Sequence, residues 1–82
     1  MAIRFGILTV SDRSARGERP DAAGPALQWA IEEHRWLVVH SAIVPDETVA
    51  IAETLRAWAD GGDVDVILTT GGTGFAPRDI TP

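Results

Sequence analysis

Three glycines fall within four residues at Gly71, Gly72 and Gly74, in the stretch TTGGTGFAPRD from Thr69 to Asp79. That density marks a backbone that turns tightly or lets another group come close. Backbone N–H groups left uncovered there, with the hydroxyls of Thr70 and Thr73, suit anionic oxygens or a polar heterocycle. The structural alternative is a tight strand-to-loop turn that holds no ligand. A nucleotide P-loop does not fit, because that pattern needs a lysine after its last glycine and Phe75 follows Gly74. The dinucleotide pattern GxGxxG fails as well, for want of a third glycine in register.

Two aspartates flank this chemistry in sequence, Asp46 in VPDE and Asp79 in APRD. Mg²⁺ takes oxygen ligands and is commonly held by one or two carboxylates together with substrate phosphates, so Asp46 and Asp79 would form such a site if both face one cleft. Asp46 also has a purely structural reading, as a helix cap favoured by the helix dipole. Asp79 has one too, as a surface ion pair with adjacent Arg78. Ser11 has no histidine at an evident activating position, and a serine after a strand is an ordinary turn residue. His34 and His40 fall on different elements, which argues against a shared metal site. Trp29, Trp36 and Trp58 read as core or interface residues. Arg13, Arg16 and Arg19 either close over a phosphate or belong to a solvated loop.

These residues need a frame. IRFGILTVS is a continuous apolar run rich in β-formers, the pattern of a strand buried on both faces. Asp12 to about Asp21 is polar, broken by Gly17 and Pro20, and reads as a loop or short irregular segment. From Gly24 to about Arg35, Leu27, Ala30, Ile31 and His34 recur at helical spacing. WLVVHSAIV is a second strand that ends at Pro45. The next helix starts with Asp46 as N-cap and carries Thr48, Ile51, Ala52, Leu55, Trp58 and Ala59 on one face. It ends at GGD, with Gly61 in the left-handed turn. VDVILTT is a third strand that runs into the glycines. The order β-α-β-α-β predicts an α/β fold, a parallel sheet with helices on its faces. In such a sheet ligands bind beyond the carboxyl ends of the strands. Thr9–Asp12, Pro45–Glu47 and Thr69–Gly74 all leave strands at that edge, which brings Ser11, Asp12, Asp46 and the glycine turn to one rim. The closing Thr81 and Pro82 read as N-cap and first residue of a further helix. Residues 1–82 are therefore expected to be the N-terminal part of a single domain.

Composition narrows the partners. The chain has 82 residues, a net charge of −5 and no cysteine, which excludes a disulfide framework, a thiolate metal site and a cysteine nucleophile. The acidic balance argues against nucleic acid as partner. No apolar run approaches the roughly 20 residues of a membrane-spanning helix, and the first residues lack a signal-peptide pattern, so a cytoplasmic protein without membrane contact is expected. All 7 basic residues are Arg, a choice that reflects forked recognition of oxyanions or a bias in codon usage. Residues 1–20 hold four of them, Arg4, Arg13, Arg16 and Arg19, against Asp12 and Glu18.

Together, ILTVSDR, VPDE and TTGGTGFAPRDITP, in this order and at these strand ends, resemble the molybdopterin adenylyltransferase family of molybdenum cofactor biosynthesis, which includes the related domains of plant cofactor-assembly proteins and gephyrin. The resemblance runs along all 82 residues and covers about the first half of the family's domain. It implies that Ser11, Asp12, Thr70, Gly71, Gly72, Thr73 and Gly74 help bind molybdopterin, and that Asp46 and Asp79 are the two functionally critical aspartates. The implied reaction is Mg²⁺- and ATP-dependent adenylylation of molybdopterin with release of pyrophosphate. The missing P-loop lysine then follows, because the glycine turn serves the pterin and not the ATP tail. A complete family member is expected to be a homotrimer. The family's later segments, including a further site loop, have no counterpart before Pro82. Two alternatives stand beside this reading: the sister group known as molybdenum cofactor biosynthesis protein B, and a non-catalytic pterin-binding or assembly module.

Overall fold

The apolar run at the start of the chain becomes the central strand of a three-stranded parallel sheet. A computed structural model describes residues 2–71, as β1 (Arg4–Val10), α1 (Asp12–Ala15), α2 (Ala23–Glu33), β2 (Leu37–Val44), α3 (Thr48–Gly61) and β3 (Val66–Gly71). The strand order is β2-β1-β3, with both pairings parallel. Phe5 to Val10 are all buried, as a strand covered on both faces must be. Burying the Ile7 and Leu8 side chains, 1% and 0% exposed, contributes about 1.5–3 kcal/mol each.

Successive strand residues point to opposite faces, and the two longer helices divide those faces between them. On one face Phe5 and Ile7 pack against Ile31 of α2, with Leu27, Trp36, Val38 and Leu68 around them. The Phe5 ring stacks on Trp36 at 5.3 Å. On the other face Trp58 of α3 lies over Gly6, so close that a Cβ at residue 6 would stand 2.8 Å from the indole. Trp58 also stacks on His40 at 5.3 Å. A register shift between Phe5 and Gly6 leaves Val39 without a partner and brings His40 opposite Gly6.

The α/β fold and the β-α-β-α-β alternation stand as expected, and several local features differ. The polar segment after β1 contains the short helix α1. The inner face of α2 is Gly24, Leu27, Gln28 and Ile31, while Ala30 and His34 are exposed. On α3 the half-buried side is Ala50, Ile51, Thr54, Leu55 and Trp58, while Thr48, Ala52 and Ala59 face outwards. Trp29 is 66% exposed and is no core residue. The left-handed residue after α3 is Gly62 (φ 72°), one place beyond the expected Gly61. Asp46 is not the N-cap of α3: Glu47 holds that position, without a side-chain cap bond. The expected helix start at Thr81 and Pro82 lies outside the described residues.

At the amino edge of the sheet, Asp65 ties β3 to β1. Its carboxylate accepts from the Arg4 backbone N–H at 2.9 Å and from the Arg4 guanidinium at 3.0 and 3.1 Å. The Asp65 N–H donates back to the Arg4 carbonyl at 2.8 Å. This clamp raises the Arg4 pKa and lowers that of Asp65, through the shared side-chain hydrogen bonds first.

Candidate functional site

The carboxyl edge gathers the residues that carry chemistry. A β2-β1-β3 order sends the connections after β1 and β2 to opposite faces of the sheet, which opens a crevice at the ends of β1 and β3. A cleft of about 470 Å³ lies there, with Ser11, Asp12, Asp46 and Gly71 on its walls. That volume is in the range of small-molecule sites. A smaller recess of about 290 Å³, between α2 and β2, shares Thr9 and Asp21 with it. Its remaining walls are uncharged, including Ile7, Pro25, Gln28 and Ser41.

Gly71 ends β3 opposite Val10 with a φ of 95°, a backbone that side chains rarely adopt. A Cβ at this position would collide with the Val10 carbonyl oxygen. The first glycine of the turn is thus required by both its torsion and its close approach to β1. Thr70 lies beside Thr9 in the same parallel register and is half-buried. Gly72, Thr73, Gly74 and Asp79 lie outside the described residues.

Ser11 leaves β1 as the N-cap of α1: its Oγ accepts from the Ser14 N–H at 3.2 Å, and its own N–H donates to the Val44 carbonyl at 2.9 Å. The hydroxyl proton remains available to an anion in the cleft. Asp12 uses Oδ1 to accept the backbone N–H of Asp46 at 2.9 Å, which fastens the turn after β2 to the turn after β1. Two exposed carboxylates therefore stand at one cleft. Among the described residues no group of three or more His, Cys, Asp or Glu side chains could hold a metal ion. A pair of hard oxygen donors beside Gly71 is nonetheless the donor set Mg²⁺ accepts when substrate phosphates complete its shell.

The structure also brings in residues that sequence reasoning left out. Asp21 accepts the Gly24 N–H at 3.1 Å through Oδ1 and the Thr9 hydroxyl at 3.0 Å through Oδ2. From the position before the N-cap Ala22 it satisfies a first-turn N–H of α2 and ties the helix to β1. The available signal was an aspartate just ahead of a helix-forming stretch, a residue type suited to binding first-turn N–H groups. Thr9, 4% exposed, had no signal beyond being polar inside an apolar run. Neither histidine lines the cleft. His34 stacks on Trp36 at 4.7 Å, and His40 Nε2 lies 2.9 Å from Asp63 Oδ2.

Comparison with known proteins gives a consistent result. Residues 6–82 match the family model described as "Probable molybdopterin binding domain". The Molybdopterin adenylyltransferase of Pyrococcus furiosus is 45% identical over 80 residues, covering 95% of this chain and 45% of that protein. The Molybdenum cofactor biosynthesis protein B of Escherichia coli is 43% identical over 79 residues, covering 96% of this chain and 45% of that protein. Among solved structures, the molybdopterin biosynthesis enzyme MoaB of Thermus thermophilus superposes with a TM-score of 0.81 at 49% identity, over 98% of this chain and 50% of that one. The chain thus spans about half the length of these relatives.

Proposed function

The chain belongs to the molybdopterin-binding domain family, and from that premise we propose that it forms the N-terminal part of a molybdopterin adenylyltransferase. The observation that carries this reading is the convergence of Ser11, Asp12, Asp46 and the Gly71 turn on one cleft at the ends of β1 and β3. The name of the Pyrococcus furiosus relative supports the same chemistry.

In this reading the pterin is held by Ser11, Asp12 and Thr70, Gly71, Gly72, Thr73 and Gly74. Its terminal phosphate attacks the α-phosphorus of ATP. A new P–O bond forms there as the bond to the β-phosphate breaks, and pyrophosphate leaves. Little covalent work is asked of the protein, because the reaction depends on positioning and charge neutralisation. Mg²⁺ would be held by Asp46 and Asp79 and would neutralise the phosphates brought together. The Asp12–Asp46 link holds the Asp46 backbone at the cleft wall, from which its carboxylate would reach the bound phosphates. The working protein is a cytoplasmic homotrimer on this account.

The test is incubation of the protein with molybdopterin, Mg²⁺ and ATP, followed by detection of adenylylated molybdopterin. Its formation, with Asp79→Asn lowering turnover more than pterin binding, is the expected outcome. Binding without adenylylation by a version of the chain extended past Pro82 would contradict the enzymatic reading and favour a pterin-binding or assembly module. The relative named as biosynthesis protein B keeps a second enzymatic reading open, that of the sister group. Asp46 and Asp79, both present here, favour the adenylyltransferase.

A further inference from the structure

The loop between β1 and α2 is more ordered than a polar connection needs to be. After α1 the Glu18 N–H donates to the Arg13 carbonyl at 2.8 Å and the Gly17 N–H to the Ser14 carbonyl at 3.1 Å. Gly17 has a φ of 75°. This pair of bonds around a left-handed glycine is the Schellman arrangement, and it folds the chain back on itself. Arg13 and Arg19 are thereby brought to the same cleft wall, although six positions separate them.

The three arginines of this loop are not equivalent. Arg16 is paired with Glu18 at 3.0 Å and does not line the cleft. Among the described residues, no carboxylate lies within ion-pair distance of Arg13 or Arg19. Of the carboxylates that share the cleft, Asp12 accepts from the Asp46 N–H and Asp21 from Gly24 and Thr9, while the exposed Asp46 carboxylate forms no ion pair with either arginine. Two arginines that form no ion pair among the described residues thus line a space whose other walls carry hydroxyls, carboxylates, Gly71 and the apolar Pro20, Ala22 and Ala23. A guanidinium presents a rigid fork of donors that matches phosphate oxygens.

From this arrangement we infer that Arg13 and Arg19 form a two-pronged phosphate clamp at the cleft. The inference rests on the proposed function for the identity of the ligand, and it adds which residues bear the phosphate charge. The phosphate belongs either to the terminal group of the pterin or to the ATP tail, and the experiment separates these sources.

Binding to the intact protein is measured by calorimetry for molybdopterin, its dephosphorylated form, ATP with Mg²⁺, and adenosine. Arg13→Gln and Arg19→Gln are compared with Arg16→Gln. Each of the first two is expected to weaken one phosphate-bearing ligand about tenfold, the effect of one charge-assisted contact. Arg16→Gln is expected to stay within about twofold, as an exposed and already paired charge. Loss confined to molybdopterin assigns the clamp to the pterin phosphate, and loss confined to ATP assigns it to the nucleotide. Unchanged affinity for both, or an equal loss for dephosphorylated pterin and adenosine, overturns the clamp and leaves the proposed function standing. A wild-type protein that binds neither molybdopterin nor ATP overturns the proposed function first, and the clamp with it.

Discussion

The backbone N–H of Asp46 donates to the Asp12 carboxylate at 2.9 Å, across 34 positions of sequence. One aspartate therefore positions the backbone of the other and joins the turns after β1 and β2. Asp12→Ala removes the acceptor and is expected to destabilise the fold by about 1 kcal/mol, while Asp12→Asn, which keeps an amide oxygen, costs less. Urea denaturation of the two variants beside the wild type measures the difference. Equal stability of Asp12→Ala and wild type would show that the link does not hold the turns together.

Gly71→Ala tests the close approach of the glycine turn to β1. The substitution combines a left-handed backbone with a Cβ directed at the Val10 carbonyl. The combined cost is about 2–4 kcal/mol. A midpoint of thermal unfolding unchanged from wild type would contradict the geometry at this position.

The Arg4–Asp65 clamp at the opposite edge predicts a pH effect with a definite sign. Asp65 has a folded pKa below its ordinary value, chiefly because Arg4 donates hydrogen bonds to it. A carboxyl group depressed in this way stabilises the fold above its unfolded pKa of about 3.9. That contribution is lost as pH falls through the lower folded value. Asp65→Asn should flatten the acid limb of the stability curve below about pH 4, and a limb as steep as that of the wild type would contradict it. Both side chains are well exposed, so the effect should shrink in high salt.

The alternation of elements could be read from the sequence because it rests on periodicity and on strand runs that signal burial. β1 declares itself by six successive apolar or small residues flanked by polar ones, and Pro45 and the paired Gly61 and Gly62 bound the other elements. The clustering of Ser11, Asp12, Asp46 and the glycine turn was equally legible, since topology alone directs strand ends to one rim. What was not legible depends on partners distant in sequence. Asp46 looks like a helix cap by local rules, yet its N–H is bound to Asp12 and the helix starts later. Gly61 and Gly62 offer the same residue type for the left-handed turn, and the choice of Gly62 follows from α3 continuing through Gly61. The functions of Thr9 and Asp21 arise from their bond to each other, which neither residue type announces. The unequal roles of Arg13, Arg16 and Arg19 follow from how the Schellman turn folds, which composition does not encode.

Under the proposed function Asp46, whose backbone is held at the cleft by Asp12, takes part in adenylyl transfer. This role is tested most directly by the rate at which Asp46→Asn forms adenylylated molybdopterin at saturating molybdopterin, ATP and Mg²⁺. A fall of at least about 100-fold relative to wild type is expected, the scale of losing one preorganised electrostatic group at a reacting phosphate. A rate equal to that of the wild type would contradict it.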